Sequence, residues 1–427
     1  MYLCNLVMKK VLFITYFWPP SGKASLHWPL YIIKHLPKSG WQPSVLTVDE
    51  DSFSHKDESL LAEIPANLEV LKTAANEPFD MYRKFLGKKS ASPLIASETI
   101  SLSNKGLRHR LAIWIRMNLF VPDARVGWYF SAVNGARTLM SKKKFDAIVS
   151  IGPPHSSHLI GKKLSREFNI PHVPVLIDPW VDIIYYKEFK RSAPTLSLDN
   201  YFERTTFDNA RSVVFVTQSA REDYIRKYPW IEKKSHVLYW GYNEKNFENL
   251  QYKAQTANHE TILHAGNIFD YQNPTGFWKN IKREIEKGRN LRLRFIGTVS
   301  PGIKNEIAQA GLTSYTDYKG FLPYKDVVQE MMDASYLLVC ATEKRHVPGK
   351  LFEYLRTGNK VIAFGDDNKE VGEILEKFNA GKIFPYGYSG DDIFQQADPL
   401  KPNARDIQKY SREKIATELA EILEEIV

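Results

Sequence analysis

The sequence predicts an α/β protein with two doubly wound, Rossmann-like domains that face each other across a cleft. Short apolar runs rich in Val, Ile, Leu and Phe alternate with helical stretches along the 427 residues, a pattern typical of parallel strands covered on both faces. A single hydrophobic core rarely grows beyond roughly 250–300 residues, so a chain of this length is expected to divide. Apolar residues make up 43% and charged residues 25% of the chain, as in soluble globular proteins.

The apolar runs form two successive sets, which we interpret as the strands of two sheets. The first set comprises residues 11–17, 44–48, 68–71, 147–151, 173–177, 212–216 and 237–239. The second set comprises residues 261–264, 291–296, 336–340, 361–364 and 382–384. The polar stretch 243–260 has no strand pattern, so we predict domains at 1–245 and 246–404. In segment 405–427, apolar residues recur at near-helical spacing, and we expect this helix to pack back toward the first domain.

Cysteine content and apolar run length predict a cytoplasmic protein. Cys4 and Cys340 are the only cysteines, too few for a disulfide framework or a zinc site, and a reducing compartment follows most simply. The apolar stretch 11–17 runs into Trp18 without a small-residue cleavage site, so we interpret it as a buried strand rather than a signal peptide. No apolar run approaches the ~20 residues of a membrane span.

The formal net charge of +9 favours partners that carry phosphate, or an anionic membrane surface. Between residues 81 and 120, one acid, Glu98, stands against eight basic residues: Arg83, Lys84, Lys88, Lys89, Lys105, Arg108, Arg110 and Arg116. A solvated basic face is the alternative interpretation. We expect no nucleic-acid partner, because the chain has neither zinc-finger spacing nor a basic-aromatic RNA motif.

The strongest local signal lies at residues 346–355, directly after the predicted strand 336–340. Gly349 follows a proline and can open a helix that Gly358 can end. A helix N-terminus offers unpaired N–H groups and partial positive charge to a phosphate. Lys350 adds a full charge, and Glu353 lies on the same helix face, where its carboxylate can accept hydrogen bonds from ribose hydroxyls. The alternative is an ordinary exposed Lys-Glu pair.

Residues 348–355, Gly358 and residues 361–363 resemble the donor-site helix of glycosyltransferase family 4. Residues 320–327 resemble the base-binding turn and next helix of that family. Residues 263–266 and 295–297 resemble its first and second strand exits in the C-terminal domain. The resemblance covers nearly the whole chain. It implies the GT-B fold and a retaining, metal-independent transfer from a nucleotide-diphosphate sugar without a cofactor.

The resemblance also implies a set of donor-binding residues: Gly22, Lys23, Gly266, Gly297, Phe321, Leu322, Arg345, His346, Gly349, Lys350 and Glu353. We expect Lys350 to be catalytic, because charge on the leaving diphosphate must be neutralised. The chain departs from the family in three places. Segment 267–273 lacks the usual Arg and Lys, Arg345 replaces the first of two glutamates, and only Gly22 remains of paired glycines in the first loop. Lys23 either replaces backbone contacts there with charge or belongs to a structural loop.

The loops at 152–158 and 178–180 resemble the acceptor side of a subgroup associated with bacterial surface-polysaccharide synthesis. Asp178 stands where many relatives place a His or Asp that faces the cleft, so it can orient or deprotonate an acceptor hydroxyl. Pro153, His155 and Trp180 are the other predicted acceptor-binding residues. The alternatives are a helix cap for Asp178 and a turn for the prolines. His155 and His158 lack a third metal ligand at suitable spacing, so we predict no metal site.

The acceptor is expected to be a glycan, and a lipid-linked glycan at the inner membrane face is one form it can take. Residues 118–128 also resemble the polysaccharide subgroup. The preceding basic-aromatic stretch 107–116 either rests on an anionic bilayer or forms an ordinary packed helix. A sugar-nucleotide epimerase of the same fold and a catalytically silent nucleotide-sugar-binding protein remain as alternative functions.

Overall fold

The computed structural model describes residues 8–75, 107–183, 191–248, 250 and 259–427. These form two compact units. The described residues of the first unit fall within Met1–Val216, Ala220–Leu238 and Ile415–Val427, and those of the second fall within Thr217–Ser219 and Tyr239–Lys414. The basic residues between 81 and 106 lie outside the described residues.

The first unit contains a parallel sheet that has seven strands within the described residues, in the order β3-β2-β1-β4-β5-β6-β7. The strands are β1 Lys9–Ile14, β2 Trp41–Val48, β3 Glu69–Thr73, β4 Ala147–Gly152, β5 His172–Leu176, β6 Val213–Phe215 and β7 Ser235–Val237. The helices in this part of the sequence are α1 His27–His35, α2 Leu107–Leu119, α3 Tyr129–Lys142, α4 Ser156–Phe168, α5 Ala193–Asn209 and α6 Gln218–Lys227. The strand order reverses between β1 and β4, the switch point at which open α/β sheets bind ligands.

The second unit contains a parallel sheet with six described strands in the order β10-β9-β8-β11-β12-β13. The strands are β8 Glu260–Ala265, β9 Leu291–Ile296, β10 Thr316–Gly320, β11 Tyr336–Cys340, β12 Lys360–Phe364 and β13 Gly381–Phe384. The helices are α7 Thr275–Glu286, α8 Pro301–Gln309, α9 Tyr324–Asp333, α10 Lys350–Thr357, α11 Lys369–Lys377 and α12 Ile393–Ala397, followed by the terminal α13 Arg412–Ile426. The strand order reverses between β8 and β11, which is the second switch point.

Alternating side chains divide the core of the second unit into two layers, one on each face of its sheet. In β11, Leu337 and Val339 belong to one buried cluster, and Leu338 and Cys340 belong to the other. This period of two is the geometry of a strand. Both faces are apolar because helices cover both, which is why the sequence shows continuous apolar runs.

The predicted fold class is confirmed in its two parallel α/β sheets, but one strand was not predicted. β10 has the sequence Thr-Asp-Tyr-Lys-Gly, and its residues are mostly exposed. It lies at the edge of the sheet and pairs only with β9 among the described strands. An edge strand with exposed side chains has no apolar run to reveal it.

Candidate functional site

Glycines with positive φ end three neighbouring strands of the second sheet. Gly266 follows β8 with φ 113°, Gly297 follows β9 with φ 100°, and Gly320 ends β10 with φ 66°. A Cβ on Gly297 would lie 2.8 Å from both the carbonyl carbon and the oxygen of Gly266. The two predicted strand exits therefore pack backbone against backbone, and no side chain fits between them.

Lys350, the first residue of α10, reaches across to the end of β8. Its Nζ lies 3.0 Å from Nε2 of His264 and 3.0 Å from the carbonyl oxygen of Ala265. A Cβ on Gly266 would be 3.6 Å from the same Nζ. The structure thus brings together Lys350, Gly266 and Gly297, which the sequence predicted as members of one site.

The surroundings of Lys350 destabilise its charge. Burial lowers the pKa of Lys350 from 10.5 to about 8, and the carboxylate of nearby Glu353 acts in the opposite direction. Burial raises the pKa of the Cys340 thiol to about 12, so this group is neutral. A partly dehydrated ammonium group is stabilised when an anion takes the place of its lost water.

Glu353 lies three residues further along α10, and its side chain is buried. Its Oε1 accepts a hydrogen bond from the hydroxyl group of Tyr324, at the start of α9. Burial raises the pKa of Glu353, whereas Arg412, Tyr324 and Lys350 lower it. Sequence reasoning did not select Tyr324 as a site residue, although its position beside the predicted base-binding turn was a usable signal.

Phe321 and Leu322 follow β10 but have opposite environments. The side chain of Phe321 is 83% exposed, whereas Leu322 is partly buried and packs against the apolar cluster of the second unit. An exposed ring directly after Gly320 offers a flat apolar face. Of these two predicted residues, only Phe321 presents a surface on which a ligand could stack.

Gly349 precedes α10 and lies against Trp240. A Cβ on Gly349 would be 1.6 Å from Cδ1 of Trp240, so this position accepts only glycine while Trp240 holds its place. Gly358 ends the helix in the left-handed conformation with φ 77°, as predicted. Trp240 was missed because the sequence gives no sign that it packs against a residue more than a hundred positions away.

The loop between β11 and α10 is held by polar contacts within the loop and with Asn368, which precedes α11. Nδ2 of Asn368 donates to the carbonyl oxygens of Glu343 and His346, at 2.7 and 2.8 Å. Nδ1 of His346 accepts from the backbone N–H of Thr342 at 3.0 Å, and burial with the charge of Lys350 lowers the pKa of His346 to about 4. Arg345 is buried and pairs with Glu343 at 3.2 Å. Both Arg345 and His346 thus shape this loop, and donor contacts by either residue stay predictions.

Gly22, the predicted glycine of the first loop in the first unit, packs closely against His55. The N–H of Gly22 donates to the carbonyl oxygen of His55 at 2.9 Å, and a Cβ on Gly22 would be 2.2 Å from Cδ2 of His55. Lys23 lies at the surface, where partial burial and the charge of Arg125 lower its pKa. Two cationic side chains therefore adjoin this loop, and donor binding by Gly22 and Lys23 stays a prediction.

The loops that follow β4 and β5 meet through a ring stack. The rings of His155 and Trp180 lie 5.0 Å apart and are inclined by 6°. Burial lowers the pKa of His155 to about 3, so its ring is neutral near pH 7. Pro153 and Asp178 are partly buried in the same two loops. Because Trp180 is only 1% exposed, its position indicates support of the loop, and acceptor contacts by these four residues stay predictions.

Buried acids on α5 hold the loop after β5. Asp199 accepts from Nε1 of Trp180 at 2.8 Å and pairs with Arg191 at 2.6 Å, and burial raises its pKa to about 6.

Glu203, on the same helix, is fully buried. Its carboxylate accepts from four groups: the Tyr224 and Tyr228 hydroxyls at 2.9 Å each, Lys227 Nζ at 2.6 Å and the Val181 N–H at 3.2 Å. Sequence reasoning missed this pair of acids four residues apart, which lies on one helix face.

In the described part of the chain, no group of three or more His, Cys, Asp or Glu side chains is placed to hold a metal ion. The Ser150 hydroxyl of β4 lies 2.7 Å from Nδ1 of His158 on α4 and 2.7 Å from Nε2 of His172 on β5. Among the described helices, none has both the length and the apolar character that a membrane crossing requires.

No protein-family model matches the chain, and no curated protein matches it. Solved structures do match over almost its entire length. Sucrose-phosphate synthase from Thermosynechococcus elongatus has a TM-score of 0.64 and 14% identity, with 98% of each chain covered. HepE of Anabaena in complex with UDP has a TM-score of 0.62 and 15% identity, with 98% of this chain and 100% of HepE covered. A candidate UDP-N-acetylglucosamine 2-epimerase from Listeria monocytogenes has a TM-score of 0.51 and 12% identity, with 98% of this chain and 96% of that chain covered.

These similarities identify the fold. The chain has the GT-B fold of two Rossmann-like units, as the sequence predicted. At identities of this size the likeness establishes fold alone, because one fold supports different chemistries.

Proposed function

We propose that the chain is a glycosyltransferase that binds a nucleotide-diphosphate sugar at the carboxyl edge of its second sheet and transfers the sugar to an acceptor hydroxyl. The observation that carries this proposal is the position of Lys350, whose ammonium group lies against Gly266 at the switch point of that sheet. Ligands of open α/β sheets bind at such switch points. HepE, which shares the fold, is described in complex with UDP, so UDP is the first ligand to test.

Lys350 is suited to hold a diphosphate. An ammonium group has three N–H donors, and two are directed at His264 and Ala265. The third remains for a phosphate oxygen, and a hydrogen bond of this charge-assisted kind is about twice as strong as a neutral one. The bare backbones of Gly266 and Gly297 let a diphosphate approach closely, and the N-terminus of α10 adds positive potential.

Glu353 and Phe321 are suited to hold the nucleoside. The hydroxyl of Tyr324 occupies one lone pair of Glu353 Oε1, but a carboxylate has about four acceptor positions. The remaining positions can accept hydrogen bonds from ribose hydroxyls. The exposed ring of Phe321 can stack on a base, an interaction worth roughly 1–3 kcal/mol in other proteins.

The transfer we propose retains anomeric configuration and uses no metal ion. The bond between the anomeric carbon and the diphosphate oxygen breaks, and the acceptor oxygen forms a new bond to that carbon. The acceptor hydroxyl proton moves to a carboxylate, for which Asp178 is our candidate in the first unit. Lys350 neutralises charge on the departing nucleoside diphosphate, while Arg345 and His346 shape the loop before α10.

A lipid-linked glycan at an anionic membrane surface is the acceptor class we favour. Helix α2 exposes Leu111, Trp114 and Leu119, and its sequence carries Arg116 as well. Exposed apolar side chains beside basic residues are typical of helices that lie on anionic bilayers. We expect the full chain to float with phosphatidylglycerol vesicles and not with phosphatidylcholine vesicles. Equal flotation with both kinds of vesicle would contradict binding to an anionic membrane surface.

Turnover tests the proposed reaction. The full chain is incubated with UDP-, CDP- and GDP-sugars, with and without a panel of glycan and lipid-linked acceptors, and the products are analysed by NMR. We expect nucleoside diphosphate release that depends on an acceptor. An epimerase, the alternative favoured by the structural similarity to the Listeria protein, would instead change the donor sugar without an acceptor. Binding without any conversion would identify a catalytically silent protein.

A further inference from the structure

We propose that His264 is a positioning residue that fixes the ammonium group of Lys350 for its contact with the diphosphate. This inference rests on the proposed function and adds a residue that sequence reasoning did not select. β8 has the sequence Glu-Thr-Ile-Leu-His-Ala, and His264 is a polar residue in its otherwise apolar buried end. Most buried polar side-chain atoms have a hydrogen-bonding partner, and both ring nitrogens of His264 lie within hydrogen-bonding distance of one.

The groups nearest to the two ring nitrogens indicate the tautomer of the imidazole, and the backbone of Asn267 also hydrogen-bonds to the ring. Nδ1 lies 3.1 Å from the carbonyl oxygen of Leu338 on β11, and a carbonyl oxygen can only accept. Nδ1 therefore carries the proton, and Nε2 accepts from the Lys350 ammonium group 3.0 Å away. Burial and the charge of Lys350 hold the pKa of His264 well below its usual range, so the ring remains a neutral acceptor. A chain of two hydrogen bonds thus links β11, β8 and α10.

This chain of hydrogen bonds stabilises both the position and the charge of Lys350. The titratable groups around Lys350 are Cys340 on β11 and Glu353 on α10, which act on its pKa, and His264 on β8 and His346 in the preceding loop, whose pKa values Lys350 lowers. Of these, His264 makes a direct hydrogen bond to Nζ. Loss of its acceptor should let the ammonium group move and should favour the neutral amine.

Two amide substitutions separate the two roles of the imidazole. His264→Gln can place a carbonyl oxygen near the Nε2 position and keep an acceptor for Lys350. His264→Asn is shorter and can keep a donor for the Leu338 carbonyl oxygen, but its side chain ends before the Nε2 position. Both variants are polar, so a general effect of replacing a buried imidazole would appear equally in both. His236→Leu, at a partly buried histidine of the first unit, is the control.

The first measurement needs no nucleotide. Acylation of the Lys350 amine by acetic anhydride is followed against pH by mass spectrometry of the full chain. Because one pKa unit corresponds to about the free energy of one hydrogen bond, we expect His264→Asn to lower the pH midpoint by about one unit. His264→Gln and His236→Leu should leave the midpoint within a few tenths of a unit. Equal midpoints for Asn, Gln and wild type would overturn the inference.

The second measurement is affinity for UDP and for uridine at pH 7.5. We expect His264→Asn to weaken UDP binding by about 5- to 10-fold, the effect of one hydrogen bond, with uridine affinity unchanged. Equal losses for UDP and uridine would contradict a role through Lys350. If wild type binds no nucleotide while the acylation midpoint still shifts, positioning by His264 is supported and the proposed function fails. If nucleotides bind and no midpoint shifts, nucleotide binding by the proposed function is supported and positioning by His264 fails.

Discussion

The hydroxyl group of Tyr324, at the first residue of α9, donates a hydrogen bond to Oε1 of Glu353 on α10. Two helices that follow different strands thereby converge on one carboxylate. We predict that Tyr324→Phe weakens nucleoside diphosphate binding by about 5-fold, because the carboxylate loses the contact that orients it, worth roughly 1 kcal/mol. Isothermal titration of the variant with UDP checks this.

The control for this substitution is Tyr315→Phe, at a tyrosine of the same unit for which no role is proposed. If Tyr324→Phe binds as tightly as wild type, or more tightly, the hydroxyl does not orient Glu353 for the ligand. Tighter binding would show instead that the hydroxyl competes with ribose for Oε1.

The reduced pKa of Lys350 predicts how nucleotide affinity depends on pH. Because this pKa is about 8, the ammonium group of the free protein loses its proton as pH rises through 8. Binding of a diphosphate must then restore that proton, so we expect the dissociation constant for UDP to rise by up to about tenfold per pH unit above pH 8. Titrations between pH 6.5 and 9.5 test this, and Lys350→Met should abolish the dependence.

The stability of the folded chain should rise with pH, whereas the affinity for nucleotide falls. The pKa of Lys350 in the folded chain is below its unfolded value of 10.5, so the unfolded chain binds more protons between these two values. The contribution of Lys350 to the free energy of unfolding is therefore present above pH 10.5 and is lost as pH falls to about 8. Wild type should gain stability relative to Lys350→Met as pH rises through this window; a constant difference would indicate that burial does not perturb this lysine.

The contact between Gly349 and Trp240 predicts a steric effect. Gly349→Ala would place Cβ 1.6 Å from Cδ1 of Trp240, so the indole must move or the helix start must shift. We expect a loss of about 1–3 kcal/mol in the free energy of unfolding, the usual range for overpacking, and weaker UDP binding. Gly387→Ala is the control, because a Cβ there meets no atom within 4 Å. Equal melting temperatures for the two variants would contradict the contact.

The buried carboxylate of Glu203 predicts a stability effect in the first unit. Glu203→Ala leaves the Tyr224 and Tyr228 hydroxyls and the Lys227 ammonium group without their shared acceptor. We expect a loss of about 3–5 kcal/mol, as for other broken buried ion pairs, measured by chemical denaturation. The exposed Glu232 provides the control variant Glu232→Ala. A loss below 1 kcal/mol for Glu203→Ala would show that this network does not hold the loop after β5.

The sequence predicted those parts of the molecule whose signal is local. Apolar runs revealed the strands that are buried on both faces, and a proline-glycine pair with a later glycine revealed the bounds of α10. β10 was missed because its side chains are mostly exposed at a sheet edge, where burial imposes no apolar pattern.

In the candidate site, too, residues in local motifs could be predicted and residues with distant partners could not. Gly266, Gly297 and Lys350 could be predicted because each lies in a short motif at a strand exit or helix start. His264 and Trp240 could not be assigned roles, since their partners are distant in the chain and only packing brings them together. The burial of Trp180 was likewise invisible, because it depends on Asp199 and Tyr224 from two later helices.

Calorimetric titration of the full chain with UDP, CDP and GDP, and with the corresponding nucleosides, shows whether Lys350 holds a diphosphate. We predict that at least one diphosphate binds, and that Lys350→Met weakens it by roughly 10- to 100-fold, the range of a charge-assisted hydrogen bond. Nucleoside binding should be unchanged by Lys350→Met, and the exposed control Lys377→Met should match wild type in both. Unchanged diphosphate affinity in Lys350→Met would contradict a contact between Lys350 and the diphosphate.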